Sequence, residues 1–150
     1  MRSRLPLGMA LLVALVILTS AAPASAAPRL RLYRGETSQG ERIRFVVART
    51  DAGRSVSEMD SGVSLTCEDQ TTDELGFGIG FGRRSVPITD GEFSFDEAFG
   101  NIAFHLAGEL GSLHGEGTLS VVEADLTEEE QAQLCTSGDL TWTVEFVRRL

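Results

Sequence analysis

The sequence predicts an all-β protein, an antiparallel β-sandwich or barrel-like domain with one short helix near its C-terminal third. Three observations carry the prediction. Apolar residues recur at every second position in several stretches, the pattern of strands with one buried face. Turn-forming clusters return at intervals of about ten residues, which suits antiparallel sheets and not βαβ units. Cys67 and Cys135 are the whole cysteine complement, an even pair that an exported chain most simply joins as one disulfide.

In chain order, residues 1–26 come first and bear on the compartment. Arg2 and Arg4 form a basic start, residues 5–18 are an apolar run broken near its front by Pro6 and Gly8, and Ala24-Ser25-Ala26 supplies the small residues of a cleavage site. This reads as a secretory signal peptide cut after Ala26. An uncleaved anchor would need the apolar stretch extended through Ala22, where Ser20, Pro23 and Ser25 belong to a cleavage region instead. No cysteine lies at the cut to carry a lipid, and the two arginines are not adjacent as a twin-arginine signal requires. Residues 27–150 are therefore expected to be secreted as a single domain with no membrane attachment, long enough to bury its own core.

The strands follow. Ile43, Phe45 and Val47 alternate with Arg42, Arg44 and Val46; Val63, Leu65 and Cys67 alternate with Ser64 and Thr66; Leu140, Trp142, Val144 and Phe146 alternate with Thr141, Thr143 and Glu145. Turns are expected at Ser38-Gln39-Gly40, Asp51-Ala52-Gly53, Asp60-Ser61-Gly62, Thr89-Asp90-Gly91, Gly111-Ser112 and Ser137-Gly138-Asp139. Residues 102–110 and 113–122 read as a hairpin around Gly111-Ser112, with Ile102, Phe104, Leu106, Leu110, Leu113, Leu119 and Val121 on one face and His105, Glu109, His114, Glu116 and Thr118 on the other. A two-residue loop sets Glu109 opposite His114, and a four-residue loop moves the partners by one step. The capping box Thr127-Glu128-Glu129-Glu130 predicts a short helix to about Leu134 that delivers Cys135 to the sheet.

Residues 75–85, LGFGIGFGRRS, pose a separate question. A dinucleotide fingerprint would need glycine where Phe81 or Arg83 stands, and no helix or P-loop lysine follows. Leu75, Phe77, Ile79 and Phe81 instead alternate strictly, as in a core strand, leaving glycine at 76, 78, 80 and 82 on the other side. Four such glycines weaken a strand by very roughly 2–4 kcal/mol. Two accounts would offset that. Another part of the chain, such as the 128–134 helix or an aromatic side chain, packs closely over the glycines; or a flat ligand or partner strand lies in a shallow groove along Gly78 and Gly80, with Arg83 and Arg84 at its rim.

Composition narrows the partners. Residues 27–150 hold all 22 acids and, without Arg2 and Arg4, 13 − 2 = 11 of the basic residues, a formal charge of 11 − 22 = −11. Such a surface repels phosphate backbones, so no nucleic acid partner is expected. No cofactor is expected either, and no catalytic or metal-ligating residue is assigned. On the two-residue register the histidines stand about 13 Å apart along the strands, too far to share a zinc ion. Glu68, Asp69, Asp73 and Glu74 offer oxygen ligands without the D-x-[DN]-x-[DN]-G loop of a calcium site. No G-x-S-x-G elbow occurs, and with 22 acids any two could meet across a cleft, so carboxylate pairs are not diagnostic. Tyr33 and Trp142 could stack on sugars, but Trp142 shares parity with core residues and is expected inside, near the disulfide.

Several of these features together resemble one family. Tyr33-x-Gly35-x-Thr37-Ser38-Gln39-Gly40 ahead of an alternating strand, Cys67 before an acidic turn, Gly91-x-Phe93-Ser94, Gly108 with Gly117-Thr118-Leu119, and Cys135-x-Ser137-Gly138 ahead of Trp142 are similar to an uncharacterised family of small exported β-rich proteins of high-GC Gram-positive bacteria. The acidic stretch 125–133 departs from that pattern. The resemblance implies export, a sandwich-like fold and the Cys67–Cys135 bridge, and supplies no catalytic residues. The function expected from the sequence is a secreted, non-catalytic binding module for an extracellular protein or glycan. The alternatives are a small metal-dependent or carboxylate-based hydrolase and a structural cell-surface protein.

Overall fold

A computed structural model of the chain describes residues 26–125 and 133–150, so nearly all of the segment expected to be a signal peptide lies outside it. The described residues form ten antiparallel strands: β1 (Arg29–Thr37), β2 (Arg42–Thr50), β3 (Gly53–Cys67), β4 (Thr72–Gly80), β5 (Val86–Ile88), β6 (Glu92–Phe99), β7 (Ile102–Leu110), β8 (His114–Asp125), β9 (Gln133–Thr136) and β10 (Leu140–Arg149). Six of them close a barrel in the order β10-β1-β2-β3-β9-β8, with β8 returning to β10. The long strands β3 and β8 also pair outward on their second edges, β3 with β4 and β5, and β8 with β7, which carries β6. The all-β expectation holds, in the form of a closed barrel with outer strands.

Alternation explains the core. Ile43, Phe45, Val47, Val63, Leu65, Leu140, Trp142 and Val144 are all buried, as their parity requires. Val46 is buried as well, although its parity points outward. The register between β2 and β3 slips there, with Val46 opposite Glu58 and Val47 opposite Val56, so that Ser57 is an extra residue in β3. Asp60-Ser61-Gly62, expected as a turn, runs through the middle of β3. Ser61 pairs with Ile43 on one side and Phe77 on the other, and its buried hydroxyl donates to the Arg42 carbonyl, so two flanking strands override the local turn preference.

The hairpin takes the longer loop. Leu110 pairs with Gly115, and the Gly111 amide donates to the His114 carbonyl. Glu109 therefore stands opposite Glu116, and His114 opposite Glu145. Leu113, expected inside, is 65% exposed in the loop. Distant donors hold the loop: Tyr33 Oη donates to Gly111 O, Arg31 to Ser112 O, and Arg54 to the carbonyls of Leu110 and Gly111. Trp142 is 1% exposed and lies against Phe45 at 4.9 Å between ring centroids, with its indole nitrogen donating to Thr118 O. Its place opposite Gly117 is six residues along β8 from Glu123, the partner of Cys135, or about 20 Å, so it does not pack near the disulfide as expected.

Cys67 and Cys135 are disulfide-bonded at directly paired positions of β3 and β9. Among the described residues that joint holds two residue pairs, Thr66 with Thr136 and Cys67 with Cys135, so the covalent bond sits at the narrowest described point of barrel closure. The predicted helix falls mostly on residues outside the description. Where the chain resumes, Gln133 and Leu134 are strand, pairing with Asp125 and Ala124. Among the described residues the helical content is one 3-10 turn, Gly82–Arg84.

Candidate functional site

The stretch that looked like a phosphate loop is strand β4 and the turn after it. Leu75, Phe77 and Ile79 point inward and are half-buried, while Gly76, Gly78 and Gly80 are exposed. The β3 bulge ends the strand: the Ser57 carbonyl accepts the Phe81 amide, between Glu58, which pairs with Gly80, and Val56, which pairs with Val86 of β5. The backbone then leaves the sheet through Gly82, whose φ of 52° lies in the left-handed region, and the 3-10 turn carries Arg83 and Arg84.

The inward row of β4 meets β6 and β7 through aromatic rings. Phe77 packs on Phe104 and Phe81 on Phe95, each pair 4.7 Å between centroids, and Phe99 extends the cluster from Phe95 and Phe104. The contact is incomplete. A groove of about 560 Å³ remains, floored by Phe77, Ile79, Phe81, Phe95, Phe99 and Phe104, within the size range of ligand pockets. Gly78, Gly80 and Arg84 also line it, and so does Glu97, which sits on the inward row of β6 between Phe95 and Phe99. Phe99 is 49% exposed. Among the described residues neither Arg84 nor Glu97 forms an ion pair.

Of the residues singled out in the sequence, Gly78, Gly80 and Arg84 thus share one groove, and Arg83 is on the same turn. Among the described residues nothing packs closely over the glycines, and most of the 128–134 segment expected as a cover lies outside the described residues. A Cβ built at Gly76 or Gly80 would meet nothing within 4 Å, and one at Gly78 would come only to ordinary contact, 3.8 Å, with the Asp60 side chain. The aromatic floor was visible as alternation, but its partners on β6 and β7 depend on long-range pairing.

A second constellation escaped sequence reasoning. Asp96, His105 and Ser120 are directly opposite one another across β6, β7 and β8, and Asp96 Oδ1 is hydrogen-bonded to His105 Nδ1. The order is that of a Ser-His-Asp triad, and it became visible only with the strand registers. It lacks the rest of the machinery. Among the described residues no hydrogen bond links His105 to Ser120, and the His105 and Asp96 side chains are mostly in solvent, where no wall excludes water.

Elsewhere the polar clusters resolve into surface chemistry. Asp69 accepts from the Thr71 amide and hydroxyl within the 68–71 turn, so this part of the acidic segment is an Asx turn. Among the described residues no group of three or more His, Cys, Asp and Glu could hold a metal ion. A broad concavity lies over the outer faces of β1, β2, β3, β8 and β10, where Arg34, Arg42 and Arg44 interleave with Glu36, Asp60, Glu116 and Glu145. Its charges alternate, with Arg44 paired to Asp60 and Glu58, as in a solvated cross-strand ladder. Tyr33 and Trp142 are both buried and offer no stacking platform. No helix among the described residues is long and apolar enough to cross a membrane. Compared with known protein families, curated proteins and solved structures, the chain matches none.

Proposed function

We propose that the chain is an exported binding module that works outside the cell and takes its ligand into the aromatic groove between β4 and β6. In this reading the layers β3-β4-β5 and β6-β7-β8 form a sandwich beside the barrel, and its open side is the binding site. One observation carries the proposal: the molecule seals its barrel core but leaves seven large apolar side chains, Ile102 among them, around an open groove, with Phe99 half in solvent. The signal-like segment and the disulfide support an extracellular setting. A neutral naphthylamine probe tests the groove. Its fluorescence should rise on binding, and Phe99→Asp should abolish the rise without lowering the melting temperature, because Phe99 is already half exposed. No rise with the native protein would remove the proposal.

The Asp96-His105-Ser120 row favours a second reading, a hydrolase. Labelling by a fluorophosphonate that Ser120→Ala prevents would establish a reactive serine, and no labelling would dismiss it.

A further inference from the structure

We infer that β4 is a docking edge, onto which an extended, net-cationic segment of a partner protein adds as a further strand, placing every second side chain in the aromatic groove. This rests on the groove reading above and names its occupant.

The backbone supplies the first argument. Among the described residues β4 pairs only with β3, through nine consecutive residue pairs without a register shift, and its other edge is unpaired. Unpaired edges are templates for strand addition, and natural proteins usually blunt them with proline, charge or a bulge. Residues 75–80 have none of these. The β6 edge, also unpaired beyond the Thr89–Glu92 bridge, is protected differently: it carries Glu92, Asp96 and Glu97, the last pointing inward among phenylalanines. The contrast selects β4.

The glycines supply the second argument. Gly76, Gly78 and Gly80 all lie outside the left-handed φ region, and among the described residues nothing approaches them closely enough to forbid a side chain. Neither conformation nor packing among the described residues calls for glycine, and the outward side chains of an added strand would find open space beside them. Charge supplies the third. Residues 27–150 carry 11 arginines against 22 acids, and Glu97 lies in the groove without a counter-ion among the described residues. A lysine or arginine on the incoming strand would meet it, and Asp73 and Glu74 continue the negative edge toward the start of β4.

The test uses a ten-residue peptide of alternating valine and lysine, its valine–glutamate counterpart, and two forms of the first N-methylated at one or the other set of alternate amides. Affinity is read by fluorescence anisotropy, and amide hydrogen exchange locates the site. The valine–lysine peptide should bind and slow exchange of the 75–80 amides, and at least one N-methylated form should bind about tenfold more weakly, since backbone hydrogen bonds carry strand addition. The glutamate peptide should bind about tenfold more weakly too, and Glu97→Lys should narrow that preference. Binding of both N-methylated forms as tight as that of the unmethylated peptide, or protection on β6 instead of β4, would overturn the inference. So would self-association that protects β4 without peptide, which would make a second copy the occupant. Binding of the naphthylamine probe without peptide binding would overturn strand addition and leave the groove standing. Failure of both would remove both.

Discussion

Glycine serves opposite purposes in two regions of this molecule. In the barrel wall and in β7, which lies against it, Gly35, Gly108, Gly115 and Gly117 are sockets. A Cβ at Gly108 or Gly117 would run into the Trp142 indole and neighbouring backbone, one at Gly115 into the Leu110 side chain, and one at Gly35 into the Thr143 carbonyl of β10. On β4, Gly76, Gly78 and Gly80 fit against nothing among the described residues. The wall is complete within itself, and its glycines make way for the largest core side chain and the closest strand approach. The β4 region is unfinished, with a bare outer face, a free edge and a groove beneath. Sequence pattern alone does not separate the two classes, since both occur at alternate positions of strands.

Substituting in the wall gives the largest expected effect. Gly117→Val would force branched carbons into the space of Trp142 and the Ala107 carbonyl, with no mobile group able to yield. The cost should be upward of about 4 kcal/mol, at the severe end of core overpacking. Denaturant titration would show either failure to fold or a midpoint shift of that size; a fully stable variant would mean that the wall glycines are not sockets.

Next in size is the double variant Cys67→Ser with Cys135→Ser. Chain entropy for a closure spanning 68 residues corresponds to about 4 kcal/mol, and removal of native disulfides typically costs about 2–5 kcal/mol. Because two residue pairs among the described residues join β3 to β9, exchange should accelerate first at Thr66, Cys67 and residues 133–136, with β4 following and the β1–β2–β10 wall last. Uniform acceleration would place the disulfide's effect in global stability and not in ring closure.

Periodicity made most of the architecture legible. The buried rows of β2, β8 and β10 are where alternation places them, and the apolar face of β4 is where Leu75, Phe77 and Ile79 imply. The errors arose where partners far along the chain decide the local structure. Ser61 is strand because β2 and β4 flank it, and the loop after β7 is four residues long and is held by Arg31, Tyr33 and Arg54. The site was half legible. Gly78, Gly80 and Arg84 stood out in the sequence, but Phe95, Glu97 and Phe99 join them only through the β6–β7 and β7–β8 registers. Asp96, His105 and Ser120 were hidden for the same reason, being separated in sequence and aligned only once both registers are known.

The glycines of β4 should respond in the opposite sense to those of the wall. Gly80→Val places a β-branched residue at an open, extended position, so it should raise stability by about 0.5–1 kcal/mol, the strand penalty of glycine removed. A destabilised Gly80→Val would return the glycine to the packing account and erase the distinction between the regions.

The smallest effect concerns the outer side of the wall, where completeness ends. Glu92, Glu109 and Glu116 stand directly opposite one another across β6, β7 and β8, three like charges in one row. Like charges in cross-strand pairs destabilise by a few tenths of a kcal/mol each, and Glu109 is the middle member with two such neighbours. Glu109→Gln should therefore stabilise the protein by about 0.5 kcal/mol at low salt, and the gain should shrink at high ionic strength as screening replaces the mutation. Glu92→Gln, at the end of the row, removes one repulsion and should give about half as much. Thermal melts at two salt concentrations would read both. A salt-independent gain would attribute the effect to strand propensity, since glutamine and glutamate differ little there once charge is screened. A loss would mean that Glu109 makes a favourable contact outweighing two repulsions. The predicted pattern would confine the wall's close fit to its inner face and leave the outer face as solvated surface that tolerates strain.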